Sequence, residues 1–471
     1  MTDLIDSELV ERTLAAALRT GADFAEIYAE DKRSTSVSLD DGRVEQVTSG
    51  RDRGAGIRVI KGDTTGFAHT SDLSAGGLAA AASAAAAAAS QGTGTRTVAL
   101  GPTQQRTVND VATPPETVPK AAKVELLGRI DDAARSAGSA IVQVSAGYGD
   151  SRKRVLVANS DGLIATDDVV RVMVRISAVA SGDTGMQTGF ESMGHTVGWE
   201  AFEAGSKWHV DVEELAREAA RQALVKLVAR PAPSGAMPVV IRNGTGGVLF
   251  HEACGHGLEA DHIQKGASVY AGKVGELVAS PLVTLVDDGT MAGEWGTLAI
   301  DDEGHPTQRN VLIENGVLTD YMWDHLRARK EGRRSSGNGR RQSYQHLPMV
   351  RMTNTFVLDG TDDPADIIAD TDHGVYVAQL GGGQVNTANG DFVFGMTEAY
   401  LIEDGRITEP LREGNLIGNG PAVLAAIDAV GNDFAMGSPG TCGKDGQGVP
   451  VGDGVPTLRV PTGLTIGGTA A

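Results

Sequence analysis

Cysteine is nearly missing from this chain: Cys254 and Cys442 are the two thiols in 471 residues. Two thiols build no disulfide framework, and nothing in the composition asks for an oxidising compartment. Long hydrophobic runs are missing as well. None approaches the ~18 residues of a membrane-spanning helix. The nearest candidate, the alanine tract at 79–90, is interrupted by Ser83 and Ser90 and reads as a helix of high intrinsic propensity. Basic charge is in deficit, with a net charge of −20 and a pI near 4.9, which argues against a nucleic-acid binder because that function needs a basic footprint. Ahead of Leu4 there is no basic segment leading into an apolar core, so no signal peptide is expected and a cytoplasmic location is. Aromatic residues are few, at 4%, although 41% hydrophobic residues are compatible with a sizeable core.

Glycine is the residue in surplus, with 62 copies, which points to many turns and close backbone contacts. The length predicts two or three domains. Residues 5–20 have apolar positions at helical spacing. Phe24–Glu30, Ser34–Leu39 and Val44–Thr48 alternate like strands, with Asp40-Asp41-Gly42 as a hairpin turn. A second hairpin is expected around Lys61-Gly62-Asp63, with the alanine helix packed on the resulting sheet. Residues 91–119 read as a long connection, a possible internal boundary. An amphipathic helix at 118–136, strands at 141–147, 154–159 and 169–180, and a helix at 212–227 follow. The Pro-rich segment 230–235 is the best domain boundary, dividing an N-terminal α+β domain (1–230) from a strand-rich, barrel-like C-terminal domain (235–471). The fold class expected is therefore α+β. In the C-terminal part, strands are expected at 284–287, 311–314, 317–321, 375–380, 392–403 and 457–460, with Asn315-Gly316 and Asp404-Gly405 as hairpin turns. A basic patch at 327–341 holds seven Arg or Lys in fifteen residues. It reads as a solvated loop, or as a contact for substrate carboxylates or a partner subunit.

Histidine is scarce, yet His251, His256 and His262 fall within twelve positions. His251-Glu252-Ala253-Cys254-Gly255-His256 offers two imidazoles and a carboxylate, the inventory of a zinc hydrolase. The common motif spaces its histidines at i and i+4, about 40° apart on a helix. Here the spacing is i and i+5, about 140° apart. Both rings can face one metal only if the helix carries an extra residue as a bulge, or ends at Gly255 and Gly257. The bland alternative is a satisfied helix end. The strand Val239–Ile241, the glycine loop 243–247 and the apolar start Val248-Leu249-Phe250 would present the histidines from a rigid element. A third ligand could come from Glu259, His262, Cys254 or Cys442. Cys254 reads as packing. Cys442 sits in a glycine-rich loop, Gly437 to Gly448, where Lys444 would favour its thiolate.

His251-Glu252-x-x-x-His256 followed by Gly257-Leu258-Glu259-Ala260-Asp261 resembles the signature of the TldD/PmbA family of metallopeptidases, on the TldD side. Further blocks at 268–275, 340–354, 381–386 and around Cys442 resemble the family in the expected order, over nearly the whole chain. The resemblance implies a Zn2+ site made by His251, His256 and Cys442, with Glu252 as the general base that activates a metal-bound water. It implies hydrolysis of unfolded or leader-type peptides, and a homodimer or a heteromer with a motif-less PmbA-type paralogue. Older naming links the family to DNA gyrase, for which the acidic charge gives no support. Gly381, Gly382 and Gly383 are candidate substrate-binding residues, allowing an extended peptide to add to a sheet edge; otherwise they form a tight turn. The alternatives are a non-catalytic peptide-binding subunit of a processing complex, and a thiol hydrolase using Cys254 or Cys442.

Overall fold

The computed structural model describes residues 4–89, 101–102, 110–386 and 388–468. Its first long hairpin follows from Asp41 and Gly42, which take φ of 48° and 75°. Positive φ at both central residues makes a turn whose twist matches that of paired strands. It joins Phe24–Asp40 to Arg43–Lys61, so the short strands read from the sequence are parts of two long ones. Ile141–Asn159 pairs with the first of them, from Glu26 against Asn159 to Asp40 against Ser145. One sheet of seven strands thus draws on both sides of residues 91–119. Most of that connection lies outside the described residues. Gly185–His195, the outer partner of Leu163–Gly182, is not among the strands expected, because it has few β-branched residues.

The alanine tract forms the helix Ala75–Ala88, burying Leu78, Ala81, Ala82 and Ala85. Its small side chains let it ride close to the sheet. A Cβ on Gly66 would stand 2.1 Å from the Ala85 carbonyl oxygen, so only glycine permits this approach. Lys120–Ser136 and Val212–Val228 pack together on another part of the sheet and bury a core of Leu126, Leu127, Ile130, Ala216 and Ala220. Both helices were legible from apolar spacing.

From residue 230 onward the chain builds two further large sheets, one of ten strands and one of seven. The structure includes a curled half-barrel sheet, and the protein is α+β as expected. The Pro-rich segment at 230–235 is itself used in that sheet: Arg230 and Pro231 pair with Leu411 and Arg412, and Gly235 pairs with Ile466. Asn315-Gly316 and Asp404-Gly405 have the positive φ of the turns read there. The strand expected at 317–321 shrinks to Val317–Leu318. The core between the sheets includes Val239, Ile241, Leu249, Phe250, Leu258, Met352 and Phe394.

The basic patch at 327–341 does not stay together. Arg340 and Arg341 are among the largest fully buried side chains. Arg341 donates to Glu26 and to the Asp302 carbonyl, while Arg58 bridges Glu26 and Glu303 at 2.7 Å each. This network fastens the first sheet to the 301–341 segment. Removing one partner would leave a buried charge unpaired, costing about 3–5 kcal/mol.

Candidate metal centre

The histidine segment begins as an α-helical turn, Gly247–Phe250, and continues as a π-helical turn over His251–Gly255. A tighter turn, His256–Leu258, follows. The π turn takes up one extra residue, so an i, i+5 pair comes to one side of the helix. The ring centroids of His251 and His256 are 5.2 Å apart, with planes at 87°. Gly255 lets the helix pass close to Met352: a Cβ there would stand 2.2 Å from the Met352 Sδ, which would have to move aside. The bulge inferred from spacing is therefore present.

Cys442 comes to the same point. The segment read as a glycine-rich loop is a hairpin: Gly440–Lys444 pairs with Gln447–Val455 across Asp445 and Gly446, whose φ values are 48° and 74°. Asp445-Gly446 was the available turn signal. The hairpin places Cys442 Sγ 3.3 Å from His256 Nε2. Ligand atoms of His251, His256 and Cys442 all lie within 4.8 Å of one another, and all three residues are buried. Both ring nitrogens of His251 are buried without a hydrogen-bond partner among the described residues. A buried imidazole left so is costly unless something binds it. Two imidazoles and a thiol with that deficit fit a thiophilic divalent metal.

The electrostatics support a thiolate. Burial pushes the Cys442 thiol up, but the charges of His251 and His256 beside it outweigh burial and bring it down to about 4. For both histidines burial favours the neutral ring, and for both it is outweighed. The Cys442 charge raises His251, and the Glu259 charge, with Cys442, raises His256 well above its usual value. Lys444 does not act on the thiol as expected from proximity in sequence. Its ammonium is held at 2.8 Å by Glu259 and by Asp261, and at 3.1 Å by the Val350 carbonyl. It acts through Glu259, whose carboxylate lies 3.0 Å from His256 Nδ1. Burial raises that carboxyl, yet the His256 and Lys444 charges hold it at about 2.

Glu259 is thus the hydrogen-bond partner of His256 Nδ1 and lies outside the His251, His256, Cys442 cluster. His262 sits on the same carboxylate, its Nε2 3.7 Å from Glu259 Oε2, and does not join His251 and His256. With Lys444 in their midst, Glu259, Asp261 and His262 already have a cation. Cys254 donates to the Phe250 carbonyl and packs in the core, as read. Glu252 lies at the rim, its side chain 25% exposed and Oε2 3.8 Å from His256 Nε2. Two contributors were not legible: Arg351, which donates to the Cys442 carbonyl, and Asp453, buried near His251 and Glu252. Neither stands near the histidines in sequence.

Gly381, Gly382 and Gly383 lie in the strand His373–Val385, which runs beside the π turn. Val375–Val377 of this strand pairs with Val239–Ile241 on one side. Beyond that, Gly383–Val385 pairs only with Phe392–Phe394 among the described residues. Among the described residues nothing pairs with the opposite edge there, Gly382, Gly383 and Gln384 are exposed, and no hydrogen bond ties the three glycines to the histidines or Cys442.

Family models of the PmbA/TldA metallopeptidase match in three consecutive blocks: domain 1 at residues 25–89, the central domain at 113–227 and the C-terminal domain at 234–468. The chain is 41% identical to a protein named metalloprotease TldD homolog from Haemophilus influenzae, over 95% of this chain and 93% of that one. It is 37% identical to a metalloprotease from Methanothermobacter thermautotrophicus, over 99% of both. In fold it is similar to a protein from Thermotoga maritima described as a candidate modulator of a DNA gyrase, with a TM-score of 0.79, 23% identity and 98% and 99% coverage. TldE from Thermococcus kodakarensis has a TM-score of 0.75 at 21% identity, with 98% of this chain and all of that one covered. With the three blocks matched in order and relatives aligned almost end to end, the chain belongs to the TldD/PmbA family of metallopeptidases.

Proposed function

We propose that this protein is a zinc-dependent peptidase acting on unfolded or leader-type polypeptides, with His251, His256 and Cys442 as metal ligands and Glu252 as general base. The single observation behind the reading is the buried convergence of two imidazoles and a depressed thiol within 4.8 Å, one imidazole having no hydrogen-bond partner among the described residues. When bound, zinc supplies Lewis acidity to the scissile carbonyl and acidifies a water. The chain's own residues do the rest. Glu259 and Lys444 fix the His256 ring so that Nε2 faces Cys442. Glu252, at the rim, takes the proton of the attacking water on its carboxylate and hands it to the leaving amine.

Substrate backbone would dock as a strand along the open edge at Gly381–Val385, where main-chain hydrogen bonds give affinity without sequence demand. That suits unfolded segments, which can present an extended backbone. The protein would work in the cytoplasm as a homodimer or beside a PmbA-type relative lacking the histidine motif; one similar fold is a protein named TldE. The test is metal analysis together with peptide cleavage by the purified protein and its Glu252→Gln variant. Zinc near one per chain, with cleavage lost in the zinc-loaded variant, is the expected result. Unchanged processing by that variant would favour a non-catalytic peptide-binding role. Chelator-resistant cleavage would overturn the metal reading.

A further inference from the structure

The unburied half of the basic patch lines a cleft that the peptidase reading does not use. Its volume is about 960 Å³, and none of its walls belongs to the metal centre. Asp161, in the turn between two strands of the first sheet, forms one side; residues 305–336 form the other. Three guanidiniums, Arg329, Arg333 and Arg334, line it against two carboxylates, Asp161 and Asp320. In a chain of net charge −20 this is a local excess of positive charge. Such focusing in a concave site attracts anions.

The groups are held in place. Arg333 pairs with Asp320 and lies 4.7 Å over the Trp323 ring. Arg329 pairs with Asp161 at 3.3 Å and sits over Phe24. His325 is stacked between Phe24 and His305 and shares a hydrogen bond with His305 through Nδ1 at 3.1 Å. Its Nε2 is buried and has no hydrogen-bond partner among the described residues; a carboxylate oxygen of Asp161 is 4.0 Å away. Arg334 has no partner among the described residues. The unmated guanidinium is a donor awaiting acceptors, and His325 Nε2 is a second one in the tautomer whose Nδ1 accepts from His305.

We infer that this cleft binds a phosphate-bearing small molecule of nucleotide size. Planar guanidiniums match phosphate oxygens two at a time, which ammonium groups do not. The volume lies at the upper end of the roughly 300–1,000 Å³ typical of small-molecule sites, so a lone orthophosphate leaves most of it unfilled. Phosphate oxygens would take Arg334 and His325 Nε2. The organic body or a second phosphate would reach toward Asn310 and Gln308.

The experiment is calorimetric titration with orthophosphate, pyrophosphate and adenosine 5′-diphosphate, with acetate as a monoanion control. A parallel titration of the Cys442→Ser protein keeps the metal centre out of the reading. Pyrophosphate or the nucleotide should bind, and Arg334→Ala and Arg329→Ala should each weaken binding about tenfold or more. Arg334 is exposed and has no hydrogen bond or ion pair to lose among the described residues, so its variant should fold normally. Tighter binding of the nucleotide than of pyrophosphate identifies a phosphate ester as the ligand; equal binding identifies inorganic polyphosphate. No binding up to about 5 mM, binding no tighter than acetate, or binding unchanged in both arginine variants would overturn the assignment.

Discussion

Cys442 Sγ stands 3.3 Å from His256 Nε2 although 186 positions separate the two residues. The thiol is carried by a hairpin strand and the imidazole by the end of a π turn, so the pair exists only where the two elements pack. It makes the ligand set testable one residue at a time. Cys442→Ser removes the thiolate and leaves a hydroxyl of nearly the same size. Zinc affinity should fall more than about 100-fold, measured by competition against a chromogenic chelator. A full complement of tightly held zinc in this variant would remove Cys442 from the site.

Glu252→Gln leaves the two histidines and the thiol in place. Zinc content should be unchanged while kcat for peptide hydrolysis drops roughly 10²- to 10⁴-fold. Loss of metal together with activity would instead make Glu252 a ligand or a structural residue.

Glu259 accepts from both His256 and Lys444. Glu259→Gln keeps an acceptor oxygen but removes the charge. Partners of this kind, behind a metal ligand, are worth about 10- to 100-fold in metal affinity. Chelator competition should show that loss, with the far-ultraviolet circular dichroism spectrum unchanged. Wild-type affinity in the variant would leave Glu259 as a purely structural buried acid.

A Cβ built on Gly382 meets nothing within 4 Å, so there is room beside the backbone for a substitution that tests the edge. Gly382→Pro removes one N–H donor. If peptide docks on this edge, KM should rise about fivefold, the worth of one ordinary hydrogen bond, with zinc content unaltered. An unchanged KM would place the peptide elsewhere.

Glu191 gives a pH signature away from the metal centre. Burial lifts its carboxyl to about 7, against the lowering effect of a hydrogen bond from Gln222. An unfolded chain releases this proton near ~4.3, while the folded protein keeps it to about 7. Its contribution is therefore fully present below the unfolded value and is lost as pH rises through the folded one. Glu191→Gln should match wild type near pH 4 and exceed it by about 1–2 kcal/mol near pH 8, measured by urea unfolding. Equal stability at both pH values would mean that Glu191 is ionised in the folded protein.

Much of the fold was legible in local chemistry. Asp41-Gly42, Asn315-Gly316 and Asp404-Gly405 announced their hairpins because few residues other than Gly, Asn and Asp tolerate positive φ. The helices Lys120–Ser136 and Val212–Val228 showed their apolar stripes. Gly185–His195 and Gln447–Val455 did not read as strands, since the first has little β-branching and the second carries Pro450 and three glycines. Their strand state comes from pairing with Leu163–Gly182 and Gly440–Lys444. Arg340 and Arg341 illustrate the same limit, because charge in a sequence does not say which cations will be buried, Arg340 on the Met352 and Pro450 carbonyls and Arg341 on the Glu26 carboxylate.

The sequence by itself determined the need for a helical distortion between His251 and His256, since an i, i+5 pair on a regular helix diverges by about 140°. It also determined the family, through blocks spread along the chain. The tertiary structure alone decided that Cys442 meets those histidines, that Glu259 orients one of them instead of joining them, and that Lys444 works through Glu259. Each depends on distances between elements far apart in the chain, and those distances are fixed by packing, which local spacing does not encode.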